Sequence, residues 1–385
     1  MNPLIYIRYF SIYSNIHKTN EFLFILFDKT FQISFSKRNA NQLVLLQQSP
    51  ESSYVLNYCV YEIIESIECL QQIYSIRIPL LRCCVRAQFT SGLDKVVLLC
   101  DDDRISLFNI EQNSLYSLHS SVNAFDFTCN QFDAIFTVAD QFGRISIYDY
   151  ALNTIHVNYE QLWSKRLVRL KQIKFINDSK LCLHFKEDKY SDITLITFPV
   201  VIDSKTLVNQ YLMSGKCDEA IACLQTINWN FYSDSAYFCL TNIFNQLIKQ
   251  PLNNLTETQL ETTLATFLDP ILTIDEEIHK QYRLEIHFLA KRLFFHYLRH
   301  NCLEKAYLLG IDLNCGHLFN ILHRMARQRK NERIAIAAHH KAKQYPRDKC
   351  QYFSHQSLET DNCEQNNNKI TNNYNNNNEI IEIFV

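Results

Sequence analysis

The sequence predicts a β + α multidomain chain, strands first and helices second, on three observations. Short β-branched or aromatic runs separated by polar turns fill the chain to about Val201. Apolar residues then recur at three and four spacing to about Lys343. Beyond Pro346 the chain turns polar, and Asn366 to Asn378 is Asn-rich. The boundaries this predicts are 1–202 for the β part, 203–345 for the helical part and 346–385 for the tail.

Strands are predicted at Phe22–Phe27, Gln42–Gln47, Lys95–Cys100, Ile105–Ile110, Ala134–Ala139, Ile145–Tyr150, Lys180–Phe185 and Ile193–Phe198. One internal echo refines this reading: Arg104-Ile105-Ser106-Leu107-Phe108-Asn109 recurs 40 residues later as Arg144-Ile145-Ser146-Ile147-Tyr148-Asp149. A period near 40 to 45 with four strands per unit marks the blade of a β-propeller. The strand ends carry Phe-Asn and Tyr-Asp where a standard repeat has Trp-Asp, so the predicted fold is a partial, degenerate WD40-like β-propeller. The length allows four to five blades, and Met1 to about Ile78 shows no clean repeat. Either blades lie upstream or the ring is irregular.

Helices are predicted at Ser204–Met213, Cys217–Thr226, Tyr232–Ile248, Glu257–Phe267, Asp275–His300, Cys302–Ile311, Gly316–Arg327 and Asn331–Ala342, with Pro251 and Pro270 as punctuation between them. Tyr211-Leu212 followed by Asp218-Glu219-Ala220 is echoed by Tyr297-Leu298 followed by Glu304-Lys305-Ala306. In each, a helix ends on an aromatic-leucine pair, a polar turn follows, and Ala lets the next helix pack closely. That is the pattern of an α-solenoid of helical hairpins. The Asn-rich tail has nothing with which to build a core and is predicted to be disordered.

Composition narrows the function. The 385 residues carry 38 basic and 40 acidic side chains, a formal net charge of −2, which excludes a globally basic nucleic-acid binder. Five Gly and seven Pro leave little for glycine-rich phosphate loops, so turns must rely on Asn, Asp and Ser. The 14 Cys are read as thiols in a reducing compartment because no secretory leader is recognisable, and the sequons at Asn177 and Asn254 are read as chance matches. The longest early apolar run, Phe22–Phe27, is far short of the roughly 20 residues that span a bilayer.

Catalytic motifs are absent: no Cys-x-x-Cys, His-Glu-x-x-His, Gly-x-Ser-x-Gly or Walker loop occurs. No cofactor and no catalytic residue is assigned. His296 and His300, one helical turn apart, have the spacing of two metal ligands, with His287 on the same helix, but surface or packing roles are the favoured reading. Cys83-Cys84 is read as buried thiols on a strand whose adjacent side chains point to opposite faces, Asp101-Asp102-Asp103 as a solvated hairpin turn, and His339-His340 as surface. A metal-dependent enzyme with a hidden site is the alternative from another functional class.

One charge cluster stands apart. From Arg324 to Lys349 nine basic residues face only Glu332 and Asp348. Arg324, Arg327, Arg329, Lys330, Arg333, Lys341 and Lys343 form a candidate patch for anionic lipid at a membrane or for an acidic partner. The competing reading is a solvated face that keeps the last helical repeat in water.

The stretch Leu289-Ala290-Lys291-Arg292-Leu293-Phe294-Phe295-His296-Tyr297-Leu298-Arg299, then Leu303 to Asp312 (LEKAYLLGID), then His317-Leu318-Phe319-Asn320-Ile321-Leu322-His323, resembles the Fritz family of WD-repeat planar cell polarity effectors. Weaker matches lie at Asn228-Trp229-Asn230 and at Leu264 to Pro270. The resemblance covers roughly Asp203 to Lys343 well and Leu80 to Val201 loosely. Family members carry a fuller propeller before this region and a C-terminal extension where this chain has its Asn-rich tail. The resemblance implies a non-enzymatic scaffold of the ciliogenesis and planar polarity effector complex, supporting cilium assembly and cell polarity. It implies Inturned-like and Fuzzy-like partners, with septins and a small GTPase, and a place in the cytoplasm at the ciliary basal body or axoneme, on the cytoskeleton, or peripheral at the plasma membrane. A vesicle-coat or intraflagellar-transport-like subunit would share this architecture.

Overall fold

The computed structural model describes residues 5–8, 21–25, 30–36, 39, 41–64, 69–155, 169–177, 179–187 and 190–345. The expected tail, including Asn366 to Asn378, lies outside the described residues. Strands come first. β1 (Ile5–Arg8) and β2 (Glu21–Ile25) form a two-stranded ribbon. β3 (Thr30–Phe35), β4 (Gln42–Gln48), β5 (Val55–Ile64) and β6 (Cys69–Pro79) form an antiparallel meander. β7 (Cys84–Phe89), β8 (Lys95–Cys100), β9 (Arg104–Asn109) and β10 (Ser114–His119) form the next. β11 (Ala124–Cys129), β12 (Ile135–Asp140), β13 (Ile145–Asp149) and β14 (Thr154–Ile155) form a third, and β15 (Leu170–Asn177), β16 (Lys180–Glu187) and β17 (Tyr190–Thr197) a three-stranded one. Among the described residues each sheet is open and none closes on itself.

All eight predicted strands are present, and the echo is structural: its two copies are β9 and β13, the third strands of consecutive sheets. The region before Ile78, which shows no sequence repeat, nonetheless builds a complete four-stranded sheet from β3 to β6.

The strand interiors explain why the sheets stack. Every residue of β8 and of β12 is buried, so both faces of these strands are covered. In β8 the alternation divides cleanly: Val96 and Leu98 join a core with Leu46, Leu56 and Ile78 of the preceding sheet. Val97 and Leu99 join a second core with Phe127, Phe136 and Tyr148 of the following sheet. Successive side chains of a strand point to opposite faces, and each fully buried Val or Leu contributes about 1.5 to 3 kcal/mol. One strand thereby ties three sheets together. The first strands β3, β7, β11 and β15 also lie in sequence beside one another.

With so little glycine, tight turns fall to other residues. Asp103, Asn113, Asp133, Asn301 and Asn314 all take positive φ between 49° and 64°, the left-handed region that short polar side chains tolerate best.

Among the described residues eight helices follow, α1 (Ser204–Met213), α2 (Cys217–Thr226), α3 (Trp229–Leu247), α4 (Asn254–Leu268), α5 (Glu276–Arg299), α6 (Leu303–Asp312), α7 (Gly316–Gln328) and α8 (Glu332–Gln344). All eight predicted helices are found, and α3 breaks at Tyr232, where the sequence places its start. No helix among the described residues is long and apolar enough to cross a membrane.

The chain folds into two compact units. Among the described residues, one takes in the strands with α1 as far as Tyr211 and the segment Gln225–Phe231; the other takes in Leu212–Leu224 and the residues from Tyr232 to Tyr345. In the first unit Asn228, between α2 and α3, donates its side-chain amide to the buried carboxylate of Asp94 at 3.2 Å and accepts from the Asn230 amide at 3.0 Å. That gives the Asn228-Trp229-Asn230 motif a physical role. In the second unit Tyr282 of α5 hydrogen-bonds Asp234 and stacks on Tyr237, both of α3. Further along, Arg292 of α5 donates to Asn245 at 2.7 Å and lies over Phe244. Both contact sequences ascend together, so α3 and α5 run side by side in the same direction.

Candidate basic face on the last helical hairpin

α7 and α8 form a hairpin through a three-residue turn in which Lys330 takes positive φ (57°), and Asn331 caps α8 by accepting from the Ile334 amide at 3.2 Å. The packed side is apolar: Leu318, Phe319, Leu322 and Ala326 of α7, with Ile334, Ala335 and Ala338 of α8. Two glycines permit close approach. A Cβ on Gly310 would stand 3.2 Å from the Phe319 ring, and one on Gly316 would stand 2.8 Å from the Tyr345 carbonyl oxygen.

The opposite side carries the predicted cations. Arg324, Arg327, Lys330, Arg333 and Lys343 are exposed, whereas Arg329 and Lys341 are half-buried. Arg329 donates Nη1 to Asn301 at 2.8 Å, and the Lys341 ammonium sits 5.7 Å from the centre of the Tyr345 ring. Those two charges are therefore turned toward the protein's own groups. Among the described residues none of the seven has an ion-pair partner.

Three histidines join this face, two of which, His339 and His340, the sequence reading left at the surface. His323 Nδ1–H donates to the Ala335 carbonyl at 2.8 Å, the only sense in which a carbonyl can be bonded. Its ring lies 5.1 Å from that of His339, which lies 6.4 Å from that of His340. The His339 imidazole is held below its ordinary pKa first by Lys343, then slightly by burial, then by His323, His340 and Arg327. Arg327 of α7 and Lys343 of α8 thus act on one ring. Spacing along the sequence does not reveal this, because the two lie on different helices.

The other candidates resolve differently. His296 and His300 bring their rings to 4.6 Å, yet His296 is buried and its pKa is lowered by burial and then by His300 and Arg299. The His287 pKa is lowered first by burial and then by Arg283, Lys291 and His279. No group of three possible metal ligands occurs among the described residues. Asp102 is paired with Arg104 at 3.1 Å and Arg82 at 3.5 Å, and Asp103 supplies the positive φ of the turn. Cys83 and Cys84 are free thiols. Burial pushes Cys84 far up, helped by Cys100 and Cys83, so it is no ready nucleophile.

Consecutive antiparallel sheets stacked through shared cores, followed by a helical unit, define a WD-repeat-type protein with a helical C-terminal region. The chain belongs to the Fritz family: the family described as "WD repeat-containing and planar cell polarity effector protein Fritz" matches residues 22–187 and 196–338. The match reaches further upstream than the residues that carry the resemblance in sequence. Relatives named "WD repeat-containing and planar cell polarity effector protein fritz homolog" include one from Homo sapiens, 26% identical over 315 residues, covering 74% of this chain and 42% of the relative. The Xenopus laevis relative is 24% identical over 314 residues, covering 74% and 44%, and that of Rattus norvegicus is 25% identical over 299 residues, covering 70% and 40%. The chain therefore spans less than half the length of these relatives. Among solved structures, the C-terminal WD40 domain of Sif2 covers 44% of this chain and 46% of its own, at 14% identity and a TM-score of 0.31, too low a likeness to carry an argument.

Proposed function

We propose that this chain is a non-enzymatic scaffold subunit of a ciliogenesis and planar cell polarity effector complex. Membership of a family named for polarity effectors carries the reading. The architecture supports it. Sheets that share cores and present their first strands side by side are what blades of a WD40-like propeller do, and α3 and α5 running in the same direction is what successive hairpins of a solenoid do. Both elements offer broad contact surface. Inturned-like and Fuzzy-like subunits are the proposed partners, with septins and a small GTPase, at the ciliary base and the cytoskeleton. The basic face of α7 and α8 is the proposed peripheral contact with anionic membrane.

Purification of the full chain from its native cell, with identification of what accompanies it, tests the assignment. Recovery of Inturned-like and Fuzzy-like proteins is the expected result. Coat or transport subunits in their absence would instead place the chain in a vesicle-coat or intraflagellar-transport assembly.

A further inference from the structure

The last two turns of α5 gather cations for which the protein supplies no anion. Arg292, His296 and Arg299 fall within about 60° of arc and about 10 Å of helix, and the His300 ring lies 4.6 Å from that of His296. His296 is only 4% exposed, and its buried Nε2 has no hydrogen-bond partner among the described residues. Arg292 donates Nη1 to Asn245 of α3 at 2.7 Å and lies over Phe244, neutral groups that fix its place without offsetting its charge. No Asp or Glu forms an ion pair with any of these four side chains among the described residues.

Helix ends ordinarily attract cations. That accounts for Arg299 and His300, but neither for Arg292, about two turns before the end, nor for the unbonded Nε2. The four groups also work against one another. Burial and then Arg299 hold Arg292 below its ordinary pKa, and burial, then His300 and Arg299, hold His296 down. An anion seated here would accept from the buried ring nitrogen, which is costly to leave unpaired, while offsetting the arginines. A phosphomonoester fits that demand, because it brings about two negative charges and three acceptor oxygens to forked guanidinium donors. With Nε2 buried, the phosphate has to be carried in on a protruding side chain. A bilayer surface meets exposed cations instead, such as those of α7 and α8.

We propose that Arg292, His296, Arg299 and His300 bind a phosphomonoester carried on a phosphoserine or phosphothreonine side chain of a partner protein. This rests on the scaffold reading and names the chemistry by which one partner is held. The probe is a short fluorescently labelled alanine-glycine peptide carrying one phosphoserine, titrated against the full chain beside its serine counterpart. The expected result is about tenfold tighter binding of the phosphorylated peptide, competition by inorganic phosphate, and a loss of about tenfold in Arg299→Gln. Arg299 is exposed, so this variant should keep the wild-type circular dichroism and melting temperature. Arg324→Gln, on the basic face of α7, should bind as the wild type does. Equal binding of the two peptides, or binding unchanged in Arg299→Gln, would overturn the proposal. So would an equal loss in Arg324→Gln, which would reduce the effect to general attraction between charges. Vesicles of phosphatidic acid supply the same phosphomonoester on a membrane. If Arg299→Gln abolishes their binding while the phosphopeptide does not bind at all, the site belongs to a lipid headgroup and the proposal falls. Failure here leaves the purification result intact, whereas recovery of coat subunits would overturn the scaffold reading without affecting the peptide titration.

Discussion

Tyr211 of α1 donates its hydroxyl to the buried carboxylate of Asp149 at 2.8 Å, and Asp149 stands where a standard repeat places the Asp of Trp-Asp. Asp149 also accepts from Asn153 and from the amide of Ala151. Burial raises its pKa, and the bonds from Asn153, Tyr211 and Ala151 partly restrain the rise. Tyr211→Phe removes one of those bonds and should destabilise the protein by about 1 to 3 kcal/mol near neutral pH. The sign follows from the raised pKa. Stability linked to Asp149 is fully present below its unfolded value and is lost as pH rises through the higher folded value. The deficit of Tyr211→Phe should therefore be larger in urea melts at pH 7.5 than at pH 4.5, and a deficit independent of pH would show that the hydroxyl does not support the ionised carboxylate.

Asp126 ties three first strands together. It accepts from Arg86 of β7 at 2.8 Å and from the Ile173 amide of β15 at 3.1 Å while itself lying in β11. Its side chain is buried, whereas that of Arg86 is partly in water, so screening reduces what the ion pair contributes. Arg86→Ala should cost about 1 to 2 kcal/mol, chiefly because Asp126 stays buried with less compensation. Asp126→Asn beside Arg86→Ala should cost less than the two single changes added. Additive single costs in a double-mutant cycle by urea denaturation would reject this coupling.

What could be read from the sequence follows from where the signal lay. β8 and β12 announce themselves because both faces are covered and the runs are continuously apolar. β10 (Ser-Leu-Tyr-Ser-Leu-His) did not, since it is an edge strand with much of its surface in water. β7 was legible only at its start, where Cys83-Cys84 reads as strand, because Arg86 sits further along it to meet Asp126. The helices were legible to within three residues at each end, their period being carried by the buried faces. The cationic residues were also legible, but not their grouping: the turn at Lys330 folds Lys343 back toward Arg327, while Arg329 is drawn to Asn301. Burial along α5 was hidden too, as Phe294 and Phe295 are adjacent in sequence and opposite in burial.

Gly316 separates propensity from packing. In a helix, Gly to Ala ordinarily stabilises by up to about 1 kcal/mol. Here the new methyl would meet the Tyr345 carbonyl oxygen at 2.8 Å, a backbone atom that cannot rotate away. Gly316→Ala should therefore destabilise, by about 1 to 3 kcal/mol, and lower the melting temperature. A raised melting temperature would mean that the α8 terminus moves freely off α7.

The basic face gives the last prediction. Arg324, Arg327 and Lys343 are exposed, whereas Arg329 and Lys341 are engaged with Asn301 and Tyr345. Co-sedimentation of the full chain with phosphatidylserine vesicles should fall steeply with salt, because exposed charges are screened over about 8 Å at physiological ionic strength. The triple change of Arg324, Arg327 and Lys343 to Ser should lose most binding, at about 1 kcal/mol per cation, while Arg329→Ser with Lys341→Ser should lose little. His339 adds a pH dependence. Lys343, His323, His340 and Arg327 hold its pKa down, so it is neutral at pH 7.5 and gains charge on acidification. An anionic surface favours that charge, and binding should strengthen from pH 7.5 to pH 5.5, by a smaller margin in His339→Gln. Phosphatidylserine is the lipid to use, since a phosphomonoester headgroup loses charge near pH 6 and would oppose the effect. Equal sedimentation by the wild type and the triple variant would reduce this face to a solvated one.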